Sequence, residues 1–544
     1  MSLPLRMIPP VPEETAAVAR AAFPKGNRYM QMRDGFGSLY TDDMFADLYP
    51  KDGQPAVRPW RLALVTVLQF AENLSDRQAA DAVRDRIAWK YVLSLELTDA
   101  GFDFSVLREF GQRLQAHEAG QRLLDEMLKV FRAKGYVKAR GQQRTDSTHV
   151  LAAVRALNRL ENVGTTLRHA LNSLATVAPV WLRTQVPAEW FERYGPRFEQ
   201  YRLPKSKEQQ RALAEQVGAD GYQLLATVYT SPTMTWLREV PAVETLRRVW
   251  VQQFWVDDEH VRLRDVKDMP PVGDWIRSPF DVEARYCTKG QTGWVGYRAH
   301  LTETCDPDRP HVITHVKTTV APIQDGQVTS VIQDELEERD LLPAEHWVDT
   351  GYMDGDHLVH SHKQGIDLIG PAPPDTSWQA RIEDGLDQSH FSIDWETQTA
   401  TCPAGQSSVA WQHSRSQRNA PVFRIIFDPE TCPVCNLRER CTRGQVRRLT
   451  IRPRPQHEAL QAARQREKTD AFKEKYRKRA GVEGTISQAT RAGDLRHSRY
   501  TGLEKTQFQN LAIATALSLA RVVAWLNEVP LAPTRKSRFA ALAA

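Results

Sequence analysis

Three carboxylates, on Asp146, Asp349 and Glu483, lie in segments that could bring them to one metal site. Two divalent cations can cleave a phosphodiester bond without a covalent enzyme intermediate, because one activates the attacking oxygen and the other stabilises the leaving oxygen. Such cations need hard oxygen ligands, and three carboxylates suffice when water and the substrate phosphate complete the coordination shells. These residue types therefore fit metal-dependent cleavage of a nucleic acid.

Both aspartates lie where a strand is predicted to end. Asp146 belongs to a short segment that carries threonines and begins after Gly141, a pattern typical of a strand. Asp349 follows an apolar pair and precedes Gly351, as expected at the carboxyl end of a strand, where α/β sheets place their sites. Each aspartate alone also has an ordinary interpretation, because a single Asp at a strand end usually serves in a turn or a cap.

Glu483 lies in a predicted basic helix. The spacing places Tyr476, Arg479 and Glu483 on one helical face, although Glu483 alone could be a solvated charge or the ion-pair partner of Arg479. Between residues 436 and 480 the chain has fifteen Lys or Arg against five Asp or Glu. Such blocks are often simply solvated. Beside a carboxylate site, the block is expected to follow DNA phosphates, with binding that weakens as salt rises.

Local pattern alone leaves the choice of carboxylates open. Asp257, Asp258, Asp354 and Asp356 compete as metal ligands, but they lie in polar clusters typical of exposed turns. Nothing in the spacing joins the two strand-end aspartates to the helix that carries the glutamate. From local pattern alone, a metal site formed by Asp146, Asp349 and Glu483 is a hypothesis.

Four of the six cysteines form a second cluster, consisting of Cys402, Cys432, Cys435 and Cys441. The pair at 432 and 435 is a C-x2-C motif, and four thiolates could close a tetrahedral zinc site that staples the local fold. The other spacings are irregular for a zinc ribbon, so free structural thiols are the alternative. Six cysteines in 544 residues are too few for a secreted disulfide scaffold and favour a reducing cytoplasm.

The elements before the first aspartate are predicted to be mostly helical. Residues 1–40 are rich in Pro, Gly and Arg, which predicts an irregular arm. From 41 to about 135 the pattern is helical, with Pro59 before one apolar stripe and Ser75 as the cap of the next helix. The short turn between these helices gives a helix-turn-helix-like layout, which suits DNA binding or a plain helical bundle.

The middle of the chain predicts a β–β–α–β order that ends near Asp349. The predicted elements are strands around 294–297, 311–316, 346–352 and 367–370, a helix at 328–339, and helices at about 469–488 and 504–527. Asp349 and Glu483 are 134 positions apart, which is too far for a bare strand–helix connection, so an inserted subdomain is required.

Size and composition are those of a multidomain soluble protein. A chain of 544 residues exceeds one hydrophobic core, and 41% hydrophobic with 26% charged residues is typical of globular proteins. The net charge of +5 is too small to indicate a partner. Met1–Pro10 lacks an apolar run, and polar residues interrupt Leu511–Leu526, so a cytoplasmic protein with a buried or amphipathic final helix is expected.

The segment around Glu483 resembles the third signature block of a branch of DDE insertion-sequence transposases. That block reads Tyr, two residues, Arg, three residues, Glu, six residues, Lys, and Tyr476, Arg479 and Glu483 match its spacing. The final Lys position is occupied by Thr490. Arg491 follows it and is the substitute that the resemblance suggests.

Two further blocks and a helical region extend the resemblance over most of residues 41–527. Residues 145–148, around Asp146, resemble the family's first block, and residues 348–352, around Asp349, resemble the second. The region from about Phe45 to Leu114 is similar to the helical domain that precedes many such catalytic cores. Residues 285–305 also resemble this group.

The resemblance implies an α/β fold with a ribonuclease H-like catalytic core, an all-α amino-terminal domain and inserted subdomains. Asp146 would lie on the first core strand, Asp349 after the fourth, and Glu483 on a later helix. The implied division begins with an arm at 1–40 and a helical DNA-binding domain at 41–135. A catalytic domain follows at 136–527, and a tail at 528–544 ends the chain. Two inserts lie within the catalytic domain: a helical insert at about 161–274 and a β-rich, Cys-containing insert at about 371–469.

The resemblance also implies a function. The protein would cleave the ends of an insertion element and join them to target DNA, as a homodimer on DNA, with two Mg²⁺ or Mn²⁺ ions held by Asp146, Asp349 and Glu483. Tyr476, Arg479 and Arg491 would bind the DNA, and no membrane or organic cofactor is expected. The alternatives are a ribonuclease H-like nuclease or resolvase without strand transfer, and an inactive DNA-binding protein derived from a transposase. The protein would be cytoplasmic, and nucleoid-associated when bound to DNA.

Overall fold

The chain folds as a mixed α/β protein with a curled mixed sheet. The computed structural model describes residues 7–50, 52–257, 260–417, 419–530, 538, 539 and 542. Asp258, one of the competing aspartates, lies outside these residues, as does most of the tail predicted at 528–544.

Helices occupy the amino-terminal part of the chain. They are α1 (Glu13–Ala22), α2 (Arg28–Phe36), α3 (Pro59–Ala71), α4 (Asp76–Asp85), α5 (Ile87–Val92), α6 (Phe104–Ala116) and α7 (Arg122–Ala133). Pro59 opens α3, and Ser75 caps α4 in a reciprocal capping box with Gln78. The predicted pair of helices with a short turn is confirmed, and Asn73 in that turn adopts φ 55°.

The prediction of an irregular arm at residues 1–40 is wrong for its described part. Apart from Gly35 in the last turn of α2, the prolines and glycines of the described part lie outside α1 and α2, so they do not prevent these helices. Tyr29, Met32 and Phe36 of α2 are buried in the main core. Short helices gain most of their stability from such packing, which local composition does not report.

The first core strand, β1 (Gln142–Leu151), leads into a helical insert. The insert contains α8 (Arg159–Val177), α9 (Pro179–Gln185), α10 (Glu189–Tyr194), α11 (Lys207–Thr230), α12 (Pro241–Gln253) and a hairpin of β2 (Phe254–Asp257) with β3 (His260–Leu263). Its buried side chains, among them Leu167, Val217 and Trp250, form a hydrophobic cluster separate from that of the central sheet.

The central sheet is completed after this insert. Its elements are β4 (Arg285–Lys289), β5 (Thr292–Thr304), β6 (Ile313–Val320), α13 (Thr329–Glu337), β7 (Glu345–Trp347), α14 (Gly355–Lys363) and β8 (Asp367–Ile369). The predicted β–β–α–β order is confirmed. The strands lie in the order β4–β5–β1–β7–β8, with β6 also on β5. β1 runs antiparallel to β5 and parallel to β7, and β7 is parallel to β8.

A small β-rich region precedes the final helices. It contains β9 (Ser392–Asp394), β10 (Thr399–Thr401), β11 (Ala410–Arg415), β12 (Pro421–Ile426), α15 (Arg438–Cys441) and β13 (Arg448–Ile451). β9 pairs with β10, and β12 lies between β11 and β13. Its own core is small and is built around Phe391, Ile425 and Phe427.

The last elements are α16 (Arg454–Glu467), α17 (Asp470–Tyr476), α18 (Gly481–Gly493) and α19 (Leu503–Leu526). The continuous helix predicted over 469–488 is wrong, because a 3₁₀ turn at 477–480 separates α17 from α18. At this turn the Lys478 carbonyl accepts hydrogen bonds from the Gly481 amide and from the Arg144 side chain, 2.5 Å away. A tertiary contact therefore coincides with the break.

Of the two interpretations of the final helix, buried or amphipathic, the structure shows the buried one in α19. By length and composition it could cross a membrane, but 72% of its most apolar window is buried within the protein. Two of its polar residues bond to the central sheet: Ser518 accepts from the Ile313 amide at 3.0 Å, and Asn510 donates to Thr318 at 2.9 Å. A helix that is buried on most sides and hydrogen-bonded to the sheet is the central element of the main core.

Candidate active site

The two aspartates are neighbours because their strands are parallel and adjacent. In the β1–β7 register, Arg144 is opposite Trp347, and Asp146 and Asp349 each lie two residues further on. The side chain of Asp146 is 9% exposed and that of Asp349 is 31% exposed. In both, Oδ1 accepts a backbone amide: Ser147 N at 2.7 Å for Asp146, and Gly351 N at 2.8 Å for Asp349. The strand end predicted at Asp146 is wrong, because β1 continues to Leu151 and keeps pairing with β5. Asp146 therefore lies in the middle of β1, beside the point where β7 ends and Asp349 follows, and the two carboxylates are side by side.

Glu483 reaches the same place from the first turn of α18. Its side chain is 63% exposed, and Arg479, one turn earlier, donates from Nη1 to its Oε1 at 2.7 Å. The other terminal nitrogen of Arg479, Nη2, lies 2.7 Å from Asp146 Oδ2 and 3.7 Å from Asp349 Oδ2. One guanidinium thus joins the three carboxylates that the sequence singled out.

These groups line an open cleft of about 540 Å³. Its walls are formed by Asp146, Ser147, Thr148, Lys289, Asp349, Arg479, Glu483, Ile486, Ser487, Thr490, Arg491 and Arg496. The carboxylates therefore share the cleft with Lys289, Arg491 and Arg496, which suit binding of phosphates. Sequence reasoning missed Lys289 and Arg496. Lys289 comes from the β4–β5 hairpin, and only sheet pairing brings it to the cleft.

The remaining members of the predicted third block occupy different positions. Arg491 lines the cleft and is exposed. Thr490 also lines it, but its hydroxyl donates to the Ile486 carbonyl at 2.8 Å. Tyr476 is half-buried and is not among the cleft-lining residues; it stacks on Phe472 with ring centroids 5.4 Å apart and donates to the Val348 carbonyl at 3.1 Å. Tyr476 therefore stabilises the segment after β7 that carries Asp349.

Burial and the neighbouring charges shift the protonation of two cleft residues. Burial, with a smaller contribution from the nearby Asp349 carboxylate, raises the pKa of Asp146 to about 6 against the opposing effect of the Arg479 cation. Burial disfavours the charged form of Arg479, yet Asp146, Asp349 and Glu483 together raise its pKa above the ordinary value. Without a cation between them, these carboxylates would repel each other, so Arg479 stabilises their approach.

The donor set fits a hard divalent cation, although the side chains surround an arginine. Among the described residues, no group of three or more His, Cys, Asp or Glu side chains is arranged to hold a metal ion. Nevertheless, Oδ2 of Asp146 and Oδ2 of Asp349 both approach the same nitrogen of Arg479. Carboxylate oxygens directed at one point are the ligands that Mg²⁺ and Mn²⁺ prefer.

The competing aspartates that the structure describes lie elsewhere. Asp354 caps α14 by accepting from the His357 amide at 2.7 Å. Asp356 is exposed and pairs with Arg452 at 3.1 Å. Asp257 ends β2 in the hairpin of the helical insert. None of these three is among the residues that line the carboxylate cleft.

A buried glutamate that sequence reasoning missed ties the Glu483 helix to the sheet. Glu303 of β5 is fully buried and accepts from Arg144 Nε at 2.7 Å, from Arg521 Nη1 at 2.7 Å and from Thr485 Oγ1 at 2.6 Å. Burial opposes its ionisation, but Arg521 and Arg144 hold its pKa below the usual value. The only signal in the sequence was a charged residue at an inward position of a strand.

A second network supports β1 beside Asp146. Ser147 donates to Asp325 Oδ1 at 2.8 Å, and Arg298 of β5 donates to the same oxygen at 2.8 Å. His300 is buried and lies 2.7 Å from the Tyr352 hydroxyl, and its burial lowers its pKa to about 3. These neutral and paired groups fix the middle of β1, where Asp146 lies, and the segment after β7, where Asp349 lies.

The four clustered cysteines lie in the small β-rich region. The six cysteines of the chain, all of them within the described residues, are free thiols. Cys402, Cys432 and Cys441 pack against the small core, and the Cys435 sulfur accepts from the Leu437 amide at 3.4 Å. Burial raises the pKa of Cys441, and the three other thiols are close enough to raise it further.

Comparison with known protein families finds two matches. Residues 401–523 match the model of a transposase DDE domain, a range that includes Glu483, Arg479 and the cysteine cluster. Residues 17–113 match the model of a transposase domain (DUF772), a range that runs from within α1 to within α6. No curated protein and no solved structure matches the chain.

Proposed function

We propose that this chain, whose two family matches support a DDE-type insertion-sequence transposase, cleaves the ends of its element and joins the freed 3′-hydroxyl groups to target DNA. The observation that carries the proposal is the shared cleft. Asp146 enters it from the middle of β1, Asp349 from the end of the adjacent parallel strand β7, and Glu483 from α18. The family generally uses divalent metal ions, and we propose these three carboxylates as their ligands.

The strand order supports a ribonuclease H-like core. Along the chain the core strands are β1, β5, β6 and β7, and in space they lie in the order β6–β5–β1–β7, with β8 beyond. Asp146 is then on the first strand and Asp349 follows the fourth. We propose the helical segment at about 161–274 and the β-rich segment at about 371–469 as inserts, because each has its own hydrophobic cluster.

The residues of the cleft would have different roles in the reaction. Divalent ions, when bound, would activate the attacking oxygen and stabilise the leaving oxygen. Lys289, Arg491 and Arg496 would bind phosphates of the DNA and hold the strand against the carboxylates. The hydrogen-bonded strands β1 and β7 would keep Asp146 and Asp349 in place, so that little reorganisation is needed during the reaction.

The partner is DNA, both at the element ends and at the target. We propose that the helical region at 41–135, with α3 and α4, contributes to end binding, and that two chains act together because two ends must be joined. The expected location is the cytoplasm, with the protein on the nucleoid when it is bound to DNA.

The test uses the full-length protein with labelled duplexes taken from the DNA that flanks its coding sequence. With Mg²⁺ we expect cleavage at the element end and a joined product when target plasmid is present; chelator should abolish both. Cleavage without joining under all conditions would favour the nuclease or resolvase alternative. Specific binding without cleavage would favour an inactive transposase-derived protein.

We further propose that the four clustered cysteines hold a structural zinc ion. The β-rich region has a small hydrophobic core, and small folds of this kind usually need a staple such as a metal. Thiolates at Cys402, Cys432, Cys435 and Cys441 would have to close on the ion.

The zinc prediction has a direct measurement. Protein purified without chelator should contain about one zinc per chain, and Cys432→Ser should lose the metal and unfold the region at lower temperature. Cys287→Ser, outside the cluster, is the matched control and should keep the zinc. Metal-free wild-type protein with unchanged stability after zinc addition would show that the thiols are only packing residues.

A further inference from the structure

The guanidinium of Arg479 contacts the oxygens that a metal ion would need. In Asp146 and in Asp349, Oδ1 is already bonded to a backbone amide, which leaves Oδ2 of each directed into the cleft. Arg479 Nη2 lies 2.7 Å from Oδ2 of Asp146 and 3.7 Å from Oδ2 of Asp349. Its Nη1 lies 2.7 Å from Oε1 of Glu483. The arginine therefore contacts one oxygen of each proposed ligand.

A metal ion and the guanidinium of Arg479 cannot both bind these carboxylate oxygens at the same time. Mg²⁺ requires oxygens at about 2.0–2.1 Å in near-octahedral geometry. A guanidinium instead places an N–H between its nitrogen and each oxygen, and its own positive charge would repel a cation nearby. With its side chain only 14% exposed, Arg479 is part of the inner surface of the cleft. Metal binding therefore requires Arg479 to move.

The surroundings of Arg479 favour such a movement when DNA arrives. Among the described residues, its Nε has no hydrogen-bond partner although it is buried, so the side chain is incompletely satisfied where it lies. The cleft it faces also contains Lys289, Arg491 and Arg496, which would guide a phosphate into it. A phosphate offers the guanidinium a paired, charge-assisted set of acceptors. Arg479 can thus exchange carboxylates for a phosphate without losing charge pairing.

We propose that Arg479 blocks the metal site in the free protein, and that a DNA phosphate draws it away, so that DNA and metal bind cooperatively. This inference rests on the proposed function, because it takes the three carboxylates as the metal ligands. Since linkage is reciprocal, the factor by which DNA strengthens metal binding is the factor by which metal strengthens DNA binding. Metal would then load mainly onto protein that already holds its substrate.

The experiment measures Mn²⁺ binding to the full-length protein without DNA, by electron paramagnetic resonance of the free ion. Arg479→Met should bind Mn²⁺ about tenfold more tightly than wild type, a factor within the usual range of coupling between sites. Arg479→Lys keeps the charge and should remain weak. Arg491→Met removes a charge from the same cleft without freeing a carboxylate, and should stay within about twofold of wild type.

Each outcome separates this inference from the proposed function. Tighter binding in Arg479→Met that is abolished by adding Asp146→Asn supports the block at this site. Equal affinity of wild type and Arg479→Met overturns it, even when wild type cleaves and joins DNA. Equal tightening in Arg491→Met also overturns it, because the effect would then be general charge. Failure of DNA cleavage together with tighter Mn²⁺ binding by Arg479→Met would overturn the proposed function and leave the block standing.

Discussion

Replacing Asp146, Asp349 or Glu483 by its amide is expected to lower metal-dependent DNA cleavage about a thousandfold or more. Asn and Gln keep the shape of the side chain but remove the negative charge that a divalent ion requires. The lost stabilisation of the transition state is several kilocalories per mole, which corresponds to this factor. Single-turnover cleavage of a labelled element end measures the rate for each variant.

The same variants should still bind DNA. Each substitution removes a negative charge that faces incoming phosphates, so affinity measured by fluorescence anisotropy should be equal to that of wild type or higher. Asp356→Asn is the matched control, because Asp356 is exposed and pairs with Arg452 away from the cleft; its cleavage rate should change less than about twofold. Wild-type cleavage by any of the three cleft variants would remove that residue from the proposed metal site.

Gly481→Ala is expected to destabilise the protein by about 2 kcal/mol or more and to lower cleavage about a hundredfold. A β-carbon at Gly481 would overlap the Arg144 guanidinium. Arg144 cannot move cheaply, because it is buried and donates to Glu303 at 2.7 Å and to the Lys478 carbonyl at 2.5 Å. Its displacement would disturb the buried charge network and shift the start of the helix that carries Glu483. Chemical denaturation and cleavage rates measure the two effects.

Gly484→Ala, three residues later, provides the contrast. A β-carbon at Gly484 meets nothing within 4 Å in the described part of the chain, and this position is exposed. The substitution should therefore stabilise α18 by up to about 1 kcal/mol through helix propensity, with cleavage retained. Equal effects of alanine at the two positions would show that helix propensity, rather than the contact with Arg144, determines the need for glycine.

The two glycines also show how far local reasoning extends. Both flank Glu483, and both cost stability in a helix, so the sequence treats them alike. Only the structure distinguishes them, because Arg144 lies more than three hundred residues away along the chain and packs against one glycine but not the other.

Elements whose side chains follow a helical or strand periodicity were predictable from the sequence. The helices on each side of Ser75, the strand that ends just before Asp349 and the apolar final helix all follow from hydrophobic period and capping. The strand at Asp146 was also predicted, but its end was not, because β1 continues to Leu151. The four-residue spacing of Arg479 and Glu483 likewise predicted their contact, which the structure places at 2.7 Å. Such patterns can be interpreted from the sequence because the backbone geometry of a helix or strand fixes which nearby residues share one of its faces.

The sequence by itself thus determined the local elements and the chemistry of their side chains, including a carboxylate beside an arginine on a basic helix. Tertiary structure decided which distant groups meet there. The parallel β1–β7 register brings Asp146 beside Asp349, the Glu303 network ties α18 to the sheet, and Arg479 lies among the three carboxylates. These contacts depend on strand pairing and burial between residues that are hundreds of positions apart in the chain. Local periodicity does not indicate which distant groups will become partners.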